Sequence, residues 1–314
     1  MRLFLGGCSG LALYEDEEVT RLSALRVLCM ARGPGGRLVA GTDSGSILVV
    51  DGDEARVVEK GMGEAVSALA FVGNGQVLAG TRPVGAWESH DCGESWTELR
   101  AVTDCPACES WSSPSGPPSV AAIVAHHKDG NTIYFGVEVG GVYRSRDGGK
   151  KWFNLAIPGE DVHSMQICPA RPERIYVTTG RSERGMGAFC SDDEGFNWRQ
   201  MGTSNRRQYT MGLAAHPTEP DRVIISAAPG AAATWRGRAR CDVYLSTDAG
   251  RRFRTVVADL KGGVRRKALV INSRVPSEVV FGTSNGELWY SNDGGESFDQ
   301  VAEGLGDLLA VVFA

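Results

Sequence analysis

No stretch of these 314 residues has the unbroken apolar length of a membrane-spanning helix. The amino-terminal MRLFLGGCSGLALYEDEE holds one arginine and a short apolar stretch, broken by glycine and soon followed by acids, which makes a poor export signal. The Gly-x-x-x-x-Gly-Lys-Ser/Thr phosphate cradle, the dinucleotide fingerprint, His-Glu-x-x-His and Gly-x-Ser-x-Gly are all absent. Their absence excludes the enzyme classes most readily read from a sequence. Positive charge is in deficit: 33 Lys and Arg against 38 Asp and Glu leave a net charge of -5, so no global attraction to nucleic acid or to an anionic membrane is expected. Without an export signal, and with eight cysteines at irregular spacings, the chain reads as a reduced, cytoplasmic protein whose thiols are mostly core residues.

What is abundant is glycine, 41 residues with no Gly-x-y period, so many tight turns are expected. The segments SHDCGESW, SRDGGKKW, SDDEGFNW, STDAGRRF and SNDGGESF begin at residues 89, 145, 191, 246 and 291. All five fit Ser-x-Asp-x-Gly-x-x-aromatic. Asp91, Asp147, Asp193, Asp248 and Asp293 can accept hydrogen bonds from their own turns, while Gly93, Gly149, Gly195, Gly250 and Gly295 permit positive φ. Trp96, Trp152, Trp198, Phe253 and Phe298 then return into an apolar layer. The motif is a hairpin-turn device, and its expected role is structural.

Upstream of each motif the same order recurs, as in VSALAF, VGNGQ, VLAGT, RPVG and AWESHD followed by WTEL. Four short strands per repeat make a propeller blade. The expected fold is therefore all-β, a single seven-bladed β-propeller over residues 1–314 with four antiparallel strands per blade. Its blades are expected at 26–59, 65–100, 119–156, 162–201, 210–257 and 267–303, with residues 307–314 joining 1–22 as the seventh. Closure of the ring by the carboxy-terminal strand would remove exposed sheet edges.

The boxes resemble those of the bacterial neuraminidase repeats, found in sialidases, xyloglucan-degrading glycosidases, sortilin-like receptors and photosystem II assembly factors. The resemblance covers nearly the whole chain and implies the fold; activity varies widely on it. The Arg-Ile-Pro signature of sialidases is missing, so no sialic-acid triad is carried over. A single propeller looks most like the assembly-factor group.

In a propeller of this strand order the boxes lie on one face and the loops between second and third strands on the other. Residues 100–118, 181–187, 199–209, 229–241 and 257–266 are long connections on that second face. Long loops on a rigid scaffold are where binding resides. They carry Arg181, Arg184, Arg206, Arg207, Tyr209, Trp235, Arg236, Arg238, Arg240, Arg265, Arg266 and Lys267, with Arg82 and His163 at equivalent positions. The expected ligand-binding set is Arg82, Arg181, Arg184, Arg207, Trp235, Arg236 and Arg266, a local positive field for a carboxylate, a phosphate or an acidic protein surface. The bland alternative is that many of these arginines are solvated or pair with neighbouring acids such as Glu64, Glu138 and Glu183.

For proton transfer the candidates are Glu138, His163 and Tyr209, with Asp43 a further carboxylate after a second strand. Cys105 and Cys108 form one Cys-x-x-Cys without a second pair, and are expected to anchor a loop with Trp111 rather than hold zinc; through-space recruitment of His163, Cys8 or Cys241 is the alternative. No metal and no cofactor is named. Two functions follow from the same face. One is a binding module for an anionic small molecule or acidic partner. The other is a hydrolase or lyase acting on a carboxylated substrate.

Overall fold

The computed structural model describes residues 1–59, 61–72, 75–102, 111, 116–126, 128–180, 185–202, 205–231 and 239–314. Among the described residues the chain is built almost wholly of short antiparallel strands, and no helix is long and apolar enough to cross a membrane. It divides into two compact units, one of Met1–Ala156, Glu160–Val162 and Ala314, the other of Ile157–Gly159 and His163–Phe313.

The first unit opens with three strands, Arg2–Gly7, Gly10–Glu15 and Glu18–Ser23. A second sheet follows with Val27–Arg32, Leu38–Thr42, Ile47–Asp51 and Glu54–Glu59. The third comprises Ala65–Val72, Gln76–Arg82, Ala86–Ser89 and Thr97–Glu98. The fourth comprises Val120–Ala125, Ile133–Val137, Gly141–Ser145 and Phe153–Asn154.

In the second unit the fifth sheet has Val162–Cys168, Arg171–Thr179, Ala188–Ser191 and Arg199–Gln200. The sixth has Tyr209–Ala215, Val223–Ala228, Cys241–Ser246 and Arg254–Leu260. The seventh has Val264–Ile271, Val279–Thr283, Leu288–Ser291 and Asp299–Ala302. Leu308–Phe313 runs parallel to the first strand of the seventh sheet, with Lys267 opposite Ala310.

Within each unit apolar layers fill the space between consecutive sheets, which is why the first three strands read as near-continuous hydrophobic runs while the fourth is exposed. Val39, Val49, Val66 and Val77 form one such layer with Trp96 against it; Leu78, Val120 and Phe135 form another with Trp152. In the second unit Phe253 and Phe298 lie against the corresponding layers. Four of the five box aromatics thus take the place expected of them.

Spacing between sheets is set by glycine at the ends of strands. A Cβ on Gly41 would sit 2.5 Å from Val66 Cγ1, on Gly80 2.4 Å from Val120 Cγ1, on Gly136 2.5 Å from Val162 Cγ1, and on Gly6 2.6 Å from Val27 Cγ1. Each of these valines starts the next sheet's first strand or lies next to its start. Gly282 of the seventh sheet meets Leu308 in the same way, at 2.7 Å. The strand Leu308–Phe313 therefore stands to the seventh sheet as a following first strand, and Arg2–Gly7, carrying Gly6, has the character of a second strand. The Ala314 amide donates to the Arg2 carbonyl at 3.0 Å.

The box chemistry repeats closely. In the first box Ser89 Oγ donates to Asp91 Oδ1 at 2.7 Å and accepts from the Gly93 amide at 2.8 Å, while Asp91 Oδ1 also accepts from the Glu94 and Ser95 amides. Burial pushes the Asp91 carboxyl up, but hydrogen bonds from Ser95, Ser89 and Glu94 outweigh it and hold the group at about 2. Positive φ is not confined to the box glycine: the residue before it, Cys92, Gly148, Glu194, Ala249 or Gly294, is also left-handed, with φ of 59, 72, 60, 59 and 75°. That geometry aims its amide at the turn between first and second strands, as in Ala249 to the Asp221 carbonyl at 2.8 Å. Boxes and first turns therefore share one end of each of the five sheets that carry a box.

Candidate functional site

The opposite end of the sixth sheet gathers the charge. Its third strand begins at Cys241 and Asp242, its fourth ends at Asp259 and Leu260, and the chain entering its first strand carries Arg206 and Arg207. Asp242 is 1% exposed. A carboxylate so buried needs several donors. It receives the Tyr244 hydroxyl at 2.8 Å, the Asp259 amide at 2.9 Å and Arg206 Nη2 at 3.1 and 3.2 Å, with Arg207 Nε 3.6 Å away. Burial, reinforced by the bond to Asp242, raises the Tyr244 phenol above its ordinary range, so it stays a donor.

A second carboxylate, Asp259, lies in solvent and accepts from both arginines on one oxygen, at 3.1 Å from Arg206 Nη2 and 2.8 Å from Arg207 Nη2. The hydrogen bond from Arg206 holds the Asp259 carboxyl below its usual range. The two cations differ in access: the Arg207 side chain is 12% exposed and the Arg206 side chain 56%. Arg206 reaches both carboxylates through Nη2 alone, which turns the remaining edge of its guanidinium outward. That planar edge matches a carboxylate or phosphate.

The other expected residues are distributed as follows. His163 is 1% exposed and its Nδ1 lies 2.6 Å from the Thr210 carbonyl. A carbonyl only accepts, so Nδ1 carries the proton and Nε2 faces the Tyr209 hydroxyl at 3.4 Å. The two rings are 5.1 Å apart, so the fold does bring these two proton-transfer candidates together, in a buried setting. Glu138 sits in the other unit, half-buried, accepting from Ser119 Oγ at 2.8 Å. Arg82 donates to the Pro117 carbonyl at 3.0 Å, and Asp43 lies 3.6 Å from Arg26 in solvent.

Arg265 is 7% exposed and forms a two-pronged pair with Asp307, at 3.1 and 2.8 Å. The Arg266 carbonyl accepts from Ser164 Oγ, which also reaches the Met211 carbonyl, so one hydroxyl ties the first strands of the fifth, sixth and seventh sheets. Arg181, Arg184, Trp235, Arg236, Arg238, Cys105 and Cys108 lie outside the described residues.

Among the described residues Asp242, Asp259 and Asp307 pair with arginines of these connections, Glu138 also accepts from Ser119, and Glu183 lies outside the described residues. The signal for Asp242 was present in the sequence as a lone carboxylate beginning an otherwise apolar strand, Cys-Asp-Val-Tyr-Leu.

The box-side histidines also have a job that the sequence did not disclose. His216 Nδ1 accepts from the Glu219 amide at 2.9 Å, His126 Nδ1 accepts from the Asp129 amide at 3.0 Å, and Asn272 Oδ1 accepts from the Arg274 amide at 3.0 Å in the same place in the seventh sheet. Each caps the turn after a first strand. Among the described residues no group of three His, Cys, Asp or Glu side chains is placed to hold a metal ion.

Burial lowers the His216 pKa from 6.5, with Glu219 opposing and Arg222 assisting. The unfolded chain then takes up the proton first, so His216 stabilises the fold above about pH 6.5 and that contribution is lost as the pH falls below it. The urea midpoint of the wild type is expected to drop more between pH 8 and pH 5.5 than that of His216→Asn, whose amide oxygen caps without titrating. Equal drops in the two proteins would remove His216 as the source.

A profile of the Sortilin-Vps10 family (sortilin, neurotensin receptor 3) matches residues 140–262. The oligoxyloglucan-reducing end-specific xyloglucanase of Emericella nidulans is 24% identical over 211 residues, 60% of this chain and 24% of that protein; a probable enzyme of the same kind from Neosartorya fischeri is 22% identical over the same shares. The chain thus spans about a quarter of the length of these curated relatives. Among solved structures, the Niastella koreensis GH74 enzyme superposes with a TM-score of 0.73 at 16% identity, covering 95% of this chain and 51% of that one. YCF48 bound to D1 peptide superposes with a TM-score of 0.63 at 16% identity, covering 88% of this chain and 82% of that one. Such identities speak for the fold alone, all-β and of propeller type, in agreement with the Asp-box resemblance carried by the repeats.

Proposed function

We propose that this chain is a binding propeller that takes an anionic partner, an acidic polypeptide segment before a small molecule, at the end of the sixth sheet opposite its Asp box. The observation that carries this reading is the exposed guanidinium of Arg206, anchored on the buried carboxylate of Asp242 with one edge in solvent. Anchoring matters because an arginine already held in place loses less freedom when a ligand arrives. Support also comes from YCF48, a structure of matching extent with a bound D1 peptide. The scaffold we propose is the seven-bladed ring, with Leu308–Phe313 as the innermost strand of the first blade. The compartment we propose is the cytoplasm, where Cys29, Cys168, Cys190 and Cys241 would persist as buried free thiols.

The test is fluorescence anisotropy with a fluorescein-labelled decaglutamate peptide at low and moderate salt. Saturable binding that weakens with salt is expected, and Arg206→Ala is expected to cost about tenfold in affinity, the scale of a charged hydrogen bond. Binding unaffected by Arg206→Ala would refute the site.

A hydrolase is the second reading, favoured by the likeness to xyloglucanases and by the His163–Tyr209 contact, in which the imidazole Nε2 faces a phenol. The chemistry available there is proton transfer on a carboxylated saccharide; Glu138 belongs to the chain's other unit and is assigned no part. Release of new reducing ends or unsaturated products from acidic or xyloglucan oligosaccharides, lost in Tyr209→Phe, would favour it over the binding module.

A further inference from the structure

Two guanidinium groups, Arg206 and Arg207, face one fully buried carboxylate, Asp242, so one positive charge is left for a second anion to neutralise. Asp259 fills that role from outside. Its side chain is 57% exposed, and a single oxygen serves both arginines. Its backbone is left-handed, with φ of 52°, a conformation that costs a residue with a Cβ and that clusters at functional positions. The permanent part of its attachment is the main chain, whose amide donates to Asp242 Oδ1 at 2.9 Å and does not depend on the side chain.

Resting on the binding reading above, we infer that Asp259 is a built-in placeholder, an internal carboxylate that an incoming carboxylate displaces from Arg206 and Arg207. Solvent-exposed ion pairs are worth little, so exchanging one carboxylate for another here has a small cost. Asp242 cannot be exchanged in this way, because removing a buried carboxylate would strand its donors. The division of labour is therefore between one fixed countercharge that shapes the arginine pair and one movable countercharge that keeps it neutral while empty. The movable acid also sets selectivity: a neutral ligand gains nothing by entering, since it leaves the two arginines under-compensated.

Two variants test this. Asp259→Asn keeps the shape and tolerates the left-handed backbone; Asp259→Gly removes the side chain at a φ that glycine adopts freely. Both are expected to bind labelled decaglutamate about two- to fivefold more tightly than the wild type, with a steeper salt dependence, because the internal competitor is gone. If both melt like the wild type and bind no better, while Arg206→Ala still weakens binding about tenfold, Asp259 is a structural partner and the placeholder role falls while the binding site stands. If neither the wild type nor either variant binds the peptide, the placeholder and the binding reading fall together.

Discussion

Deleting residues 307–314 is expected to leave a chain with no native cooperative unfolding transition, as followed by circular dichroism in urea. Leu308, Ala310 and Val311 are 1–2% exposed, and fully burying a large apolar side chain contributes about 1.5–3 kcal/mol. The deletion also removes Asp307 from Arg265, whose side chain is 9% exposed. Stranding one member of a buried pair costs about 3–5 kcal/mol. Together these losses reach the whole stability of an ordinary domain, about 5–15 kcal/mol. The Ala314 amide bond to Arg2 is lost as well. Asp307→Asn separates the contributions: it keeps the apolar strand and should lower the urea midpoint while preserving a single transition. A truncated protein that melts like the intact one would end the proposal that this strand completes the first blade.

Gly80→Ala is the second large effect, out of proportion to the one methyl it adds. The new carbon would lie 2.4 Å from Val120 Cγ1 and 2.5 Å from Val120 Cβ, distances no real Cβ tolerates, and Val120 is itself fully buried on the first strand of the next sheet. Ordinary overpacking costs about 1–3 kcal/mol. Here the valine has no room to yield, so the upper end of that range is expected. The diagnostic is a double-mutant cycle. Val120→Gly alone leaves a cavity and destabilises, yet combined with Gly80→Ala it removes both the Cγ1 and the Cβ clash and should restore part of the loss, giving a coupling of about 1–3 kcal/mol. Additive effects would show that the glycine is there for backbone freedom rather than for the approach of the next sheet.

Much of the architecture was legible before any coordinates. Five Ser-x-Asp-x-Gly boxes, a hydrophobic run before each and a regular strand order are local facts, enforced by hydrogen bonds within a few residues such as Ser89 to Asp91 and Gly93. Local chemistry of that kind is written into adjacent positions, so the turns, the strands and the inward return of Trp96, Trp152, Phe253 and Phe298 could be read directly.

Which side chains meet was not legible. Arg206 finds Asp242 36 residues away and Asp259 53 residues away, and Arg265 finds Asp307 across 42 residues. His163 becomes a buried imidazole bonded to Thr210 because two first strands approach each other there. Composition and spacing determined the repeat, the strands and the presence of cations in the connections, since each depends on neighbours in sequence. Tertiary structure alone decided which of those cations is neutralised, which keeps an open edge, and which acid stands in front of it, because long-range approach of strands, not local preference, sets the distances over which charges act.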